Sequence, residues 1–89
     1  MSMRVIYDYH AVSDLKSLPR KIADRITLKI EWYASQDNPL RFAEFLNPPL
    51  KDLYRFRIGE YRAIFEVGAN NEMRFLIILR VKHRKNVYE

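Results

Sequence analysis

The sequence predicts an α+β fold of the order β-α-α-β-β-β, with two N-terminal helices packed on one face of an antiparallel sheet. Three observations predict it. Leu15, Leu18, Ile22, Ile26, Ile30 and Tyr33 step by three or four residues, which lays an apolar stripe along a helical surface. Later in the chain the period becomes two: Tyr54, Phe56 and Ile58 alternate with Arg55 and Arg57, as in a half-buried strand. Gly59 and Gly68, the two glycines of the chain, stand where this alternating stretch has to turn. With 89 residues and 10.8 kDa, residues 1–89 form a single domain, because separate cores need on the order of 100 residues each.

Taken in order, residues 3–7 are short, β-branched and aromatic, and predict a first strand. Residues 11–18 predict a short helix with Ser13 and Asp14 near its start. Pro19 suits the opening of a second helix, where the missing N–H costs nothing. Arg20, Lys21, Asp24, Arg25 and Lys29 fill the polar side of that helix, which ends near Ser35, ahead of Asp37-Asn38-Pro39. Trp32 lies beside the stripe and is expected to pack between helix and sheet. The pattern is weak over residues 40–50, where a short helix at 41–46 would be broken by Pro48-Pro49.

A three-stranded meander follows. Gly59-Glu60 joins the strand at 54–58 to one at 61–67, which places Tyr61, Ala63, Phe65 and Val67 on one face and Arg62, Ile64 and Glu66 on the other. Gly68-Ala69-Asn70-Asn71 turns the chain again into a strand at 73–81. Its continuous apolar run at 75–79 marks a central strand. Tyr54, Phe56, Phe65, Phe75, Ile77 and Leu79 are the expected sheet contribution to the core.

Composition narrows the function. There is no cysteine, which excludes disulfides, thiolate zinc sites and cysteine nucleophiles. His10 and His83 have no ligand partners at helical or hairpin spacing, so no metal or cofactor is expected. The longest apolar run is far short of the roughly 20 residues that span a bilayer. Residues 1–5 lack the apolar stretch of a signal peptide, and a cytoplasmic protein without membrane attachment is expected. Net charge is +5, unevenly spread: residues 1–50 hold 7 basic and 6 acidic side chains, residues 51–89 hold 9 and 5. Arginine outnumbers lysine ten to six and matches phosphate bidentately, so nucleic acid is the first partner suggested.

The candidate site follows from strand geometry. Arg55 and Arg57, two apart, project from one face, and a simple hairpin register brings Arg62 onto it. Arg80, Lys82, His83, Arg84, Lys85 and Tyr88 close the chain next to it. Guanidiniums, an imidazole and a terminal aromatic are the parts needed to hold a phosphodiester, stabilise a pentacoordinate phosphorus and stack a base. The competing reading is that these arginines are merely the solvated polar face of a sheet.

Two segments resemble a known family. Tyr54-Arg55-Phe56-Arg57-Ile58-Gly59-Glu60-Tyr61-Arg62-Ala63-Ile64-Phe65-Glu66-Val67 is similar to the Y-R-(I/F)-R-(V/I)-G-x-Y-R-x-(I/V)-(Y/F) core of RelE/ParE superfamily toxins. Arg80-Val81-Lys82-His83-Arg84-Lys85-Asn86-Val87-Tyr88 is similar to their closing V-x-H-R-x-x-V-Y. The resemblance favours the RelE branch and implies a RelE-like fold and a type II toxin–antitoxin system. It also implies a metal-independent endoribonuclease that cuts mRNA on the ribosome to a 2′,3′-cyclic phosphate. By position, Arg62 matches the residue that stabilises phosphate charge, Arg84 one proposed to protonate the leaving oxygen, and Tyr88 one that orients the base. Arg55 and Arg57, with Arg80, Lys82 and Lys85, would bind RNA.

Arg55 and Arg57 stand where the best-studied branch has lysines, one of them its proposed base, and arginine is a poor base. His83 is then the first candidate base and Glu60 the second, the alternative being arginines that act only as clamps. The resemblance further implies a cognate antitoxin, a toxin–antitoxin hetero-oligomer, and the ribosome with its mRNA as partners. A ParE-like inhibitor of DNA gyrase, or an inactive binding module of the same fold, are the alternatives.

Overall fold

In the computed structural model, which describes residues 3–46 and 52–87, the chain runs β1 (Arg4–Tyr7), α1 (Tyr9–Lys16), α2 (Arg20–Ala34) and a 3-10 turn (Pro39–Phe42). It continues as β2 (Glu44–Phe45), β3 (Tyr54–Ile58), β4 (Tyr61–Ala69), β5 (Arg74–His83) and a second 3-10 turn (Arg84–Asn86). One five-stranded sheet has the order β1-β5-β4-β3-β2. The α+β class and the β3-β4-β5 meander are as expected. The sheet itself is mixed rather than antiparallel, because β1 pairs parallel with β5, Arg4 opposite Phe75 through Tyr7 opposite Ile78.

The cause lies in β5. A long apolar strand at a sheet edge would expose a row of unpaired N–H and C=O groups, a template for aggregation, so its second edge needs cover. β4 covers one edge along its length; β1 covers the other only as far as Ile78. Beyond that point α1 takes over, and the Asp14 carboxylate accepts the Val81 N–H at 2.9 Å. The helix starts at Tyr9, earlier than residue 11, because Asp8 caps it by accepting the His10 N–H at 3.0 Å.

The core sits between α2 and one sheet face. Ile26, Ile30, Phe56, Phe65, Leu76 and Ile78 are essentially inaccessible. An aromatic column crosses it: Tyr33 on Phe56 at 4.4 Å, Phe56 on Phe65 at 4.4 Å, Phe65 on Tyr54 at 5.5 Å. Such stacked pairs add about 0.5–1.5 kcal/mol each beyond area burial. Tyr54 is only half-buried, because it lies towards the sheet edge where exposed Phe45 covers it.

Three expectations are corrected. Phe75, Ile77 and Leu79 are half-buried, and Leu76, Ile78 and Val81 fill the core in their place. Ile64 opposes Arg80 while Phe65 opposes Ile78, so Leu79 is an extra residue in β5. This bulge shifts the side-chain phase by one, which is why Ile78 and Val81 share the core face although three apart. Trp32 is 48% exposed, packed edge-on against Phe42 at 5.4 Å with the Lys29 ammonium 4.7 Å from its ring. Finally, the helix expected at 41–46 is a 3-10 turn followed by the edge strand β2; Pro48-Pro49 lie outside the described residues. Among the described residues, no helix is long and apolar enough to cross a membrane.

Candidate functional site

The helix-free face of the sheet carries the cations. Register places Arg57 directly opposite Arg62, and Arg62 directly opposite Lys82. Three like charges thus form one cross-strand row over β3, β4 and β5. Like charges at directly opposed positions repel, so the row is held together by the carboxylate and carbonyl partners of its members. Arg55 lies on the same face, opposite Ile64.

Each guanidinium is held differently. Arg62 is 6% exposed, and its Nη1 donates to the carbonyls of Gly59 at 2.9 Å and Tyr61 at 2.8 Å. The turn that supplies those carbonyls favours glycine first: Gly59 has φ +59°, a left-handed conformation that costs most side-chain-bearing residues roughly 1–2 kcal/mol. Arg57 and Arg55 both reach the Glu44 carboxylate on β2, Arg57 through Nε and through Nη2 at 3.3 Å, Arg55 through Nη2 at 3.4 Å. The Arg57 hydrogen bonds hold the Glu44 carboxyl below its ordinary range, with burial opposing and Arg55 assisting. Arg84 is clamped to the β3–β4 turn: its N–H donates to the Glu60 carbonyl at 2.7 Å and its Nε pairs with the Glu60 carboxylate at 2.8 Å. Arg84 therefore stands at the same sheet end as Arg62.

Two expected members lie elsewhere. Arg80 is drawn to the β5 edge away from β4, where Asp14 takes its Nε at 2.9 Å and Nη2 at 3.0 Å. Burial works against the Asp14 charge, yet Arg80 and the Val81 N–H hold its carboxyl below the usual value. His83 is opposite Tyr61, on the face away from Arg62, with the two rings edge-on at 5.4 Å. Its Nδ1 accepts the Lys85 N–H at 3.2 Å. A neutral ring with that lone pair engaged carries its proton on Nε2, which leaves no acceptor for a substrate proton. That geometry does not suit His83 as a base. Glu60, the second candidate, is engaged by Arg84. Lys85 is exposed in the 3-10 turn, and Tyr88 lies outside the described residues. Among the described residues, no three His, Asp or Glu side chains gather as a metal site.

Residues 5–88 match the family model described as the ParE toxin of a type II toxin–antitoxin system, parDE. The chain belongs to this toxin family. Toxin RelE3 of Methanocaldococcus jannaschii is 34% identical to it over 90 residues, 98% of this chain and 97% of that one. Two solved structures resemble the toxin closely. One is the toxin–antitoxin complex RelBE2 of Mycobacterium tuberculosis, with a TM-score of 0.75 and 29% identity over 94% of this chain and all of that one. The other is the archaeal RelE–RelB complex of Pyrococcus horikoshii, with a TM-score of 0.67 and 28% identity over 98% of this chain and all of that one. The RelE/ParE resemblance read from the motifs is therefore confirmed at the level of the superfamily.

In this toxin the residues that sequence reasoning missed are acidic. Asp14 and Glu44 organise the arginines, yet each is distant in sequence from its partners and carries no local signal.

Proposed function

We propose that this toxin is a ribosome-dependent mRNA endoribonuclease that inhibits translation. The observation that carries the reading is the Arg57-Arg62-Lys82 row with Arg84 at the same sheet end. In the proposed reaction a ribose 2′-OH attacks the adjacent phosphorus and gives its proton to water, the bond to the 5′-oxygen breaks as that oxygen takes up a proton, and a 2′,3′-cyclic phosphate and a 5′-OH remain. No metal is needed for that route if charge on the phosphate oxygens is stabilised as it develops. Arg62 is assigned that stabilisation, Arg84 the leaving oxygen, and Arg55, Arg57, Lys82 and Lys85 the flanking phosphates. Arg80, neutralised by Asp14 at the β5 edge, is not assigned to the RNA. Tyr88 is assigned to base stacking. Arginine stays protonated at neutral pH, and the His83 lone pair is occupied. We therefore assign the row to electrostatic clamping without a dedicated side-chain base.

A relative named as a RelE toxin and two RelE-type neighbours support this branch. Both neighbours are complexes with antitoxins, which supports a cognate antitoxin for this chain, acidic to match its +5 charge. Access to ribosomes puts the working toxin in the cytoplasm. Inhibition of DNA gyrase is the second reading, favoured by the ParE designation of the matching family. Induction in a bacterial culture, with mRNA 5′ ends mapped, tests the first: growth arrest with cuts at a fixed position in codons is expected. Intact messages together with inhibited supercoiling would give the site to gyrase. Neither effect would leave an inactive binding module.

A further inference from the structure

Glu44 enters the site from β2, a two-residue edge strand in the stretch with the weakest sequence pattern. It stands opposite Arg55 and grips Arg57 by the Nε/Nη2 edge of the guanidinium. A guanidinium has five N–H donors in a rigid fork, so the Nη1 side of Arg57 is still available to a second acceptor. The Arg57 side chain is 53% exposed and that of Glu44 is 46% exposed, so the edge is reachable from solvent. An arginine with no such grip would lose rotamer freedom on meeting a phosphate; held by Glu44, it has lost that freedom already. Arg57 in turn keeps Glu44 ionised, so the grip persists at neutral pH.

We propose that Glu44 is a positioning residue. It fixes Arg57 by one edge so that the opposite edge faces a backbone phosphate lying along the Arg57-Arg62-Lys82 row. The inference rests on the RNA-cutting reading for its activity arm and on geometry alone for its binding arm. Two other roles are distinguishable from it. A competing anion would leave Arg57 when phosphate arrives, and a mere strand staple would affect stability without affecting catalysis.

The Nε–H resonance of Arg57 in the full-length toxin reads the grip directly. It should exchange slowly, be lost in Glu44→Gln, and persist when an uncleavable 2′-O-methyl oligoribonucleotide binds. Its disappearance on binding in the wild type would mean that phosphate displaces Glu44 and would overturn the proposal. With ribosome-bound message, Glu44→Gln should cut roughly 10- to 100-fold more slowly at saturating toxin, as expected for a misaimed group. Its affinity for the oligonucleotide should not fall, since a negative charge has been removed. Glu66→Gln removes one charge from the same face, opposite Ile77, and should cut as the wild type does. In an Arg57→Ala background, Glu44→Gln should have a much smaller effect than in the wild type, limited to its contact with Arg55. Full activity of Glu44→Gln, or an equal loss in Glu66→Gln, would refute positioning. A wild type that leaves ribosome-bound message intact would defeat the RNA-cutting reading instead, while the Nε–H measurement still decides the role of Glu44.

Discussion

Arg62, from the first of the two motifs, and His83, from the closing one, face opposite sides of the sheet, and one experiment separates their roles. Arg62→Ala should slow cleavage about 100- to 1000-fold, the 3–4 kcal/mol typical of one well-placed charge donor. His83→Gln should stay within about threefold of the wild type, because a ring whose lone pair caps a turn removes no proton. Cleavage of ribosome-bound message by folded variants, checked by circular dichroism, measures both, and an inactive His83→Gln would restore the base to that residue. Asp14 yields a second prediction at this scale. Its folded carboxyl lies below the ordinary aspartate value, so its stabilisation is complete above about pH 4 and is lost as pH falls through the lower folded value. Asp14→Asn should cost about 1–3 kcal/mol at pH 7, the usual cost of unmaking charge-assisted hydrogen bonds. Urea unfolding should then show the gap between wild type and variant narrowing below pH 4.

Among the elements, β5 is the informative one, because its central run is apolar at every position and local pattern cannot choose a face. The bulge chooses it. Ile78 is fully buried while Ile77, one residue away, is half-buried on the open face. Ile78→Ala should therefore cost about 2–5 kcal/mol and Ile77→Ala clearly less. Midpoints of urea unfolding give both values, and a larger loss at Ile77 would contradict the register. β1 matters for the same reason: it closes the second edge of β5, and α1 finishes the task through Asp14 where β1 stops.

For the whole molecule, the charge asymmetry sets the partner physics. The cationic face is concentrated in β3, β4 and β5, so on the proposed function an acidic antitoxin segment and an RNA backbone would be drawn to overlapping surfaces. Affinity for either should fall as salt rises, steeply for single-stranded RNA because each neutralised phosphate releases counterions. Titrations between low and physiological ionic strength measure it, and an affinity indifferent to salt would point to an apolar interface instead.

Local sequence determined a good deal by itself. The spacing of Ile26, Ile30 and Tyr33 and the alternation of Phe56 with Arg55 and Arg57 suffice for α2, for β3 and for the faces they bury. Gly59 suffices for the turn that places Arg57 opposite Arg62. These features are readable because each depends on neighbours within a few residues. Tertiary structure alone decided the phase of β5 beyond Leu79, the parallel pairing of β1, and the removal of His83 to the face of Tyr61. It also decided which carboxylates hold the arginines, Asp14 reaching Arg80 across 66 positions and Glu44 reaching Arg57 across 13. The physical reason is common to all four. A strand's partner and an ion's counter-charge are set by the order in which strands assemble, and local periodicity records only which face of a strand is apolar, not what will lie beside it.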